Sequence, residues 1–364
     1  MAYNQAKYLS ENGHSVTVIT SSIPKTGQKV FEDFNVIRIP VWNIFEDKLG
    51  VPYPLFSSRL RRTLRKEIKS ADIVHAHGHV YMPSVIAARV AAKHKKPFIL
   101  TQHNTFIEYK SPALRNMQKL ADRLLGKPTL ARSAAVITVS EATKDYMNDI
   151  LPVKTHVHYN GVDVKRFKPV KDQSAVRKAL KLPQDKIICF TVRRITFKNG
   201  VDTMIEAAKL LKKRPDILFV IGGKGPDLEL ARGLIKKAKL KNVLLLGMVE
   251  DKDLPSYYAA SDIFILPSKK GEGFPLVILE ALASGLPVIA TRSGGHVEII
   301  ESSNYGFIVE PNEPAELARY IEVLSNKQTQ LATMKHGSRQ FAEQNLSWEE
   351  NVTSLLKVFK EAGA

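Results

Sequence analysis

Cysteine is almost missing: the one thiol, Cys189, lies in the apolar run IICFTV. It can form no disulfide within the chain, which suits a reducing compartment. No apolar run approaches the roughly 18 residues of a membrane helix, and no charged-then-apolar leader opens the chain. The expected location is cytoplasmic, with attachment to the inner face of a membrane as the variant. Acidic side chains are the other shortage. Lys and Arg number 54 against 36 Asp and Glu, a net charge of +18. Residues 1–160 carry 23 basic and 12 acidic side chains. Such an excess fits nucleic acid, anionic lipid or a phosphorylated substrate without choosing among them.

At 364 residues the chain suits two domains better than one core. Short β-branched runs alternate with helical patterns throughout. Strands are expected at 15–20, 35–39, 72–76, 97–101, 135–139 and 156–159, then at 187–192, 217–222, 242–246, 262–266, 287–291 and 306–309. Apolar strands separated by helices make parallel sheets covered on both faces, here two α/β doubly wound series in tandem. The turn-rich segment YNGVDVKRFKP joins them. The expected domains are 1–160, completed by a C-terminal helix within 347–364, and 161–346. Ligands of open parallel sheets sit beyond the carboxyl ends of the strands, where the motifs fall. If the domains face each other, those motifs line one cleft.

The densest motif is PSKKGEGFPLVILEALASGLPVIATRSGGHVEII, residues 267–300. It sets Glu272 and Glu280 on either side of a helix start marked by Pro275 and closed at Gly285. Helix N-termini attract phosphate, and carboxylates beside one suit sugar or ribose hydroxyls. Arg193, Arg194 and Lys198 follow strand 187–192, where cations suit a diphosphate leaving group as well as a solvated loop. Gly222-Gly223-Lys224-Gly225 lacks the spacing of a Walker or dinucleotide loop; a tight turn and a ligand contact are both open. His75, His77 and His79 alternate at a strand end and should point to one side, yet no Cys or carboxylate completes a zinc set. His103, in TQHN, is the better candidate for chemistry. Asp251-Lys252-Asp253 can be read as a metal pair or as a helix cap. Residues 57–70 form a basic helix with Leu60, Leu64 and Ile68 as its apolar stripe. That stripe suits packing on the first sheet; contact with anionic lipid is the alternative. The helix has no interleaved aromatics for stacking bases, which argues against nucleic acid.

These residues carry a family resemblance. GEGFPLVILEALASGLPVIAT followed by SGGHVEII, with YNGVDVKRFKP, RRITFKNGVDTMIEAAKLL, IGGKGPDLELA, SDIFILPS, HAHG and TQHNT, resembles the family 4 retaining glycosyltransferases (group 1). The resemblance implies the GT-B fold, two facing Rossmann-like domains. It implies transfer of a sugar from a nucleotide-diphosphate donor to a hydroxyl of a glycan, lipid or small molecule, with anomeric configuration kept and no metal. In that scheme Glu272 holds the sugar, beside the backbone of Gly273, Phe274, Pro275 and Leu276, and Glu280 holds the ribose. Arg194 and Lys198, with Arg193 and Gly223 near, neutralise the diphosphate. His103 sits near sugar and acceptor, with His77 and Gly78 on the acceptor side. The last helix, 347–361 with Trp348, crosses back to the first domain.

There are two departures. Arg194 and Lys198 are four apart, where five or six is usual, consistent with a one-residue slip in the loop. The family also begins with a strand and a Gly-Gly loop ahead of the helix ending in KYLSENGHSVTVIT, so the first strand of the N-terminal domain is expected to be missing here. A nucleotide-sugar epimerase and an impaired sugar-nucleotide or lipid-surface binding protein are the alternatives on the same fold.

Overall fold

A computed structural model describes residues 1–22, 34–45, 53–107, 111–269, 274–295, 297–301 and 305–363. These form two compact units, residues 1–160 with 348–364, and residues 161–347.

In the first unit, β1 (Thr17–Ser21) pairs in parallel with β2 (Asn35–Ile39). A second parallel sheet has the order β5-β6-β7-β8, from Val74–His77, Phe98–Gln102, Ala135–Thr138 and Thr155–Val157. β6 and β7 are buried throughout, as strands covered on both faces must be. The two sheets are not hydrogen-bonded to each other among the described residues. They nonetheless share one core, in which Ile19, Ile37 and Ile39 pack with Val74, Leu100 and Val136. The basic segment becomes the helix Arg59–Ser70, whose buried Leu60, Leu64 and Ile68 join that core. Packing therefore accounts for its apolar stripe. An antiparallel pair, β3 (Val41–Trp42) with β4 (Leu55–Phe56), was not expected from the sequence. Two residues per strand are too few to show a period.

The chain's last helix, Trp348–Glu361, belongs to this unit although it follows the second in sequence. Leu355, Val358 and Phe359 pack on Ile99, Ala135 and Ile137, and Trp348 stacks on Tyr8 at 6.3 Å between ring centroids. Asn351 donates to the Tyr159 carbonyl at 2.6 Å.

The second unit holds one parallel sheet of six strands, in the order β11-β10-β9-β12-β13-β14. The strands are β9 (Ile187–Val192), β10 (Ile217–Gly222), β11 (Val243–Gly247), β12 (Ile263–Leu266), β13 (Val288–Thr291) and β14 (Gly306–Val309). Asp262, at the head of β12, is 5% exposed. Its carboxylate accepts from Arg177 at 2.6 Å, Lys335 at 2.8 Å and the Ile188 backbone N–H at 2.8 Å. A buried carboxylate is tolerated only with such partners, so Asp262 in SDIFILPS is an anchor within the fold.

Leu355 is fully enclosed. Leu355→Ala should cost about 2–5 kcal/mol. Hydrogen exchange should quicken at residues 98–102 and 135–138 and stay unchanged at 217–222.

Candidate functional site

Each unit brings a distinct group of polar residues to the carboxyl ends of its strands.

In the second unit, the loop after β9 runs through Arg193, Arg194 and a short 3-10 turn, Phe197–Asn199. It packs backbone to backbone on its neighbours. A Cβ on Gly223, whose φ is +133°, would collide with the Arg193 carbonyl, and one on Gly200 with the Pro267 carbonyl. The Gly222-Gly223 turn thus permits the close approach of two segments of the chain. Hydrogen bonds lace the same loops: Arg193 N to Gly222 O at 3.0 Å, Ile195 N to Lys224 O at 2.9 Å and Lys269 N to Lys198 O at 3.1 Å. Arg193 turns inward and donates to the buried Ser268 hydroxyl at 2.9 Å. Arg194 and Lys198 are exposed. The basic loop therefore lies against Pro267–Lys269, the segment that leads to Glu272. Glu272 and Gly273 themselves lie outside the described residues. Phe274 is buried, Pro275 caps the helix Leu276–Ala283, and Leu276 is exposed at its first turn.

Glu280 lies on that helix. Its Oε2 accepts from the hydroxyl of the fully buried Tyr258 at 2.8 Å. Burial raises Glu280 above the ordinary carboxylate range, opposed by the Tyr258 hydrogen bond and the charge of Arg166. Burial, with the carboxylate beside it, pushes Tyr258 well above the usual phenol range, so the hydroxyl remains a donor. Tyr258 carried no signal in the sequence beyond its place in an apolar helix. Asp251 sits in a 3-10 turn and pairs with Arg166 at 2.8 Å, and Asp253 makes no side-chain cap. Asp253 does stand at the N-cap position of the helix Leu254–Ala260, in keeping with the cap reading, without a side-chain cap bond.

In the first unit, His77 and His103 meet: Nδ1 of one lies 2.9 Å from Nε2 of the other. The His75 ring is 4.6 Å from that of His77, and its Nε2 bonds the Thr101 hydroxyl at 2.7 Å. The three alternating histidines do not share one side, which corrects the expectation. β5 ends at His77, and Gly78 takes φ +81°, so the chain turns there. His79 is carried away to Gln102 and Asp122. Among the described residues no group of three His, Cys, Asp or Glu side chains is placed to hold a metal ion. Burial lowers His75 to about 3 and His103 to about 4, and holds His77 well below the usual imidazole range. All three are neutral at pH 7, able to donate from one nitrogen and accept at the other.

Residues 172–341 match the family model Glycosyl transferases group 1, and residues 1–166 match Glycosyltransferase Family 4. The chain belongs to the group 1, family 4 glycosyltransferases. It is 28% identical over 355 residues to the D-inositol 3-phosphate glycosyltransferase of Salinispora arenicola, covering 91% of this chain and 78% of that one. It is 29% identical over 340 residues to the alpha-monoglucosyldiacylglycerol synthase of Acholeplasma laidlawii, covering 87% and 82%. Among solved structures, Anabaena Alr3699/HepE in complex with UDP matches with a TM-score of 0.77 at 18% identity, covering 95% of this chain and 100% of that one. That likeness is one of fold: α/β with parallel sheets, the GT-B class of two Rossmann-like domains.

The histidines generate a pH dependence. Unfolded imidazoles titrate near 6.5, above the folded values of His75 and His103. Between roughly pH 6.5 and 4 the unfolded state therefore binds more protons, and stability falls as pH falls. Urea midpoints should drop across that window, and His75→Gln should flatten the drop. An unchanged slope would refute the assignment.

Proposed function

We propose that the protein is a retaining glycosyltransferase that moves a sugar from a nucleoside diphosphate donor to a hydroxyl acceptor. The observation that carries this is the packing of the basic loop 193–200 on Pro267–Lys269. It brings two exposed cations to the strand end that leads into Glu272. A diphosphate leaving group needs positive charge as its bond to the anomeric carbon breaks. Arg194 and Lys198 supply it, and Arg193 fixes the loop through Ser268. Glu272 holds the sugar hydroxyls. Glu280, oriented by Tyr258, takes the ribose hydroxyls. The acceptor oxygen bonds to the anomeric carbon while the bond to the diphosphate breaks, and the acceptor proton passes to the departing phosphate. His103, neutral and paired with His77, offers the acceptor or sugar a hydrogen bond without adding a charge. No metal is required in this scheme. The structure of HepE with UDP supports a nucleoside diphosphate as the leaving group.

The acceptor class we propose is a glycan, a polyol or a lipid, in keeping with the names of the relatives. No helix among the described residues is long and apolar enough to cross a membrane. A membrane surface is nonetheless a suitable partner. The helix Pro112–Ala121 has no buried residue and continues through Asp122–Gly126. Met117, Leu120 and Leu124 are 44%, 55% and 59% exposed along it, among Lys119, Arg123 and Lys127. Exposed apolar residues beside cations suit an anionic lipid surface.

Glu272→Gln should lower nucleoside diphosphate release from UDP-glucose by at least about a hundredfold, roughly the loss of one strong transition-state contact. A fully active variant would remove Glu272 from the site. In vesicle sedimentation, the double variant Met117→Glu, Leu120→Glu should bind phosphatidylglycerol vesicles about tenfold or more weakly than the parent, since two apolar contacts are lost. Equal binding would exclude this face.

A further inference from the structure

Below His103 lies a chain of buried polar groups that the proposed reaction does not use. Gln102 closes β6 and is 6% exposed. Its Oε1 accepts the His79 backbone N–H at 3.2 Å, and its Nε2 donates to the Asn104 carbonyl at 2.8 Å. Two backbone partners, one a donor and one an acceptor, thus fix which end of the amide is oxygen. That oxygen lies 3.0 Å from His79 Nδ1. On the other side of the ring, Nε2 lies 2.9 Å from Oδ1 of Asp122. The second Asp122 oxygen accepts from the Tyr146 hydroxyl at 3.0 Å. Burial holds Tyr146 above the ordinary phenol range, which keeps it a donor. Gln102 Oε1 can only accept, so His79 Nδ1 carries hydrogen; with Asp122 as a carboxylate, Nε2 carries one as well.

The surroundings are built around this ring. His79 is 3% and Asp122 7% exposed. Asp122 opens a π-helical stretch, Asp122–Gly126, a form often found at functional sites. The widened turn sets the Asp122 carboxylate on one edge of the His79 ring and leaves Gly126 against its Cδ2, where a Cβ would not fit. The segment beyond Gln102 is tied to the same cluster. Phe106 meets Tyr146 edge-on at 6.2 Å, and the Gln118 amide can donate to Ile107 O at 3.1 Å and accept from Ile107 N at 3.2 Å.

We infer that His79 is a positioning residue that donates from both ring nitrogens, anchored on Asp122. Through Gln102 it fixes residues 103–107, so that His103 stays against His77. This rests on the proposed role of His103. The three neutral histidines above it differ in kind from His79: they can exchange donor and acceptor roles, whereas His79 is held as a donor on both sides. Removing either partner leaves the other's buried polar atoms unsatisfied, so the link should be sensitive to small changes.

The test uses protein labelled with 15N-histidine at pH 7. One histidine, absent from the spectrum of His79→Gln, should show hydrogen on both ring nitrogens, and the His103 signals should shift or broaden in that variant. Asp122→Asn, nearly identical in size, serves the same purpose should His79→Gln not fold. With UDP-glucose, both variants should lose about 10- to 100-fold in kcat while KM changes less than about twofold, the pattern of a misplaced group. A His79 ring with one bare nitrogen would overturn the proposal, as would unaltered His103 signals in both variants. Unchanged kcat in a variant whose parent turns over would overturn it too. Absence of turnover by the parent across a panel of nucleoside diphosphate sugars would instead count against the functional reading, while the spectra would still decide the role of His79.

Discussion

The second unit depends on backbone meeting backbone at the carboxyl ends of its strands. At Gly223 and Gly200 the neighbouring carbonyl comes so close that no side chain can be accommodated. The consequence is geometric. The loops after β9, β10 and β12 satisfy one another's N–H and C=O groups. Arg194 and Lys198 stand exposed on this interlocked backbone. Preorganised charge is effective because little reorganisation is needed when an anion develops beside it. The same contacts frame the short 3-10 turn at Phe197–Asn199, which carries Lys198.

The strands of this unit were legible in the sequence because each is a short apolar run with polar ends. β9, β10 and β14 match the expected spans residue for residue, and β2 does so in the first unit. The helix Arg59–Ser70 was legible from its four-residue apolar spacing, and Trp348–Glu361 from its resemblance. The β3–β4 pair was not, since nothing periodic fits in two residues. His79 shows a different limit. Alternation predicts its direction only while the strand continues, and the strand stops two residues earlier. Its partners Gln102, Asp122 and Tyr146 are up to 67 residues away in sequence and share no motif with it. Ser268 and Tyr258 were hidden similarly: each matters through one contact, with Arg193 or Glu280, that topology alone creates.

The carboxyl strand ends of the two units differ in charge. Those of the second present the exposed cations Arg194 and Lys198, whereas those of the first hold His75, His77 and His103, which burial keeps neutral. In a transfer from a nucleoside diphosphate sugar this division has a physical advantage. Positive charge belongs beside the leaving diphosphate. A cationic His103 would lose its acceptor nitrogen and could no longer pair with a neutral His77 in the same sense. Neutrality at His103 is secured by burial, but burial alone would leave the ring free to turn and exchange its hydrogen-bonding roles. Its orientation is set by the contact with His77 and by the segment that carries it, which follows Gln102, whose amide contacts His79 beside the Asp122 carboxylate. In the proposed arrangement the His79–Asp122 pair fixes geometry where solvent is excluded, and the neutral His77–His103 pair uses that geometry to meet a substrate hydroxyl.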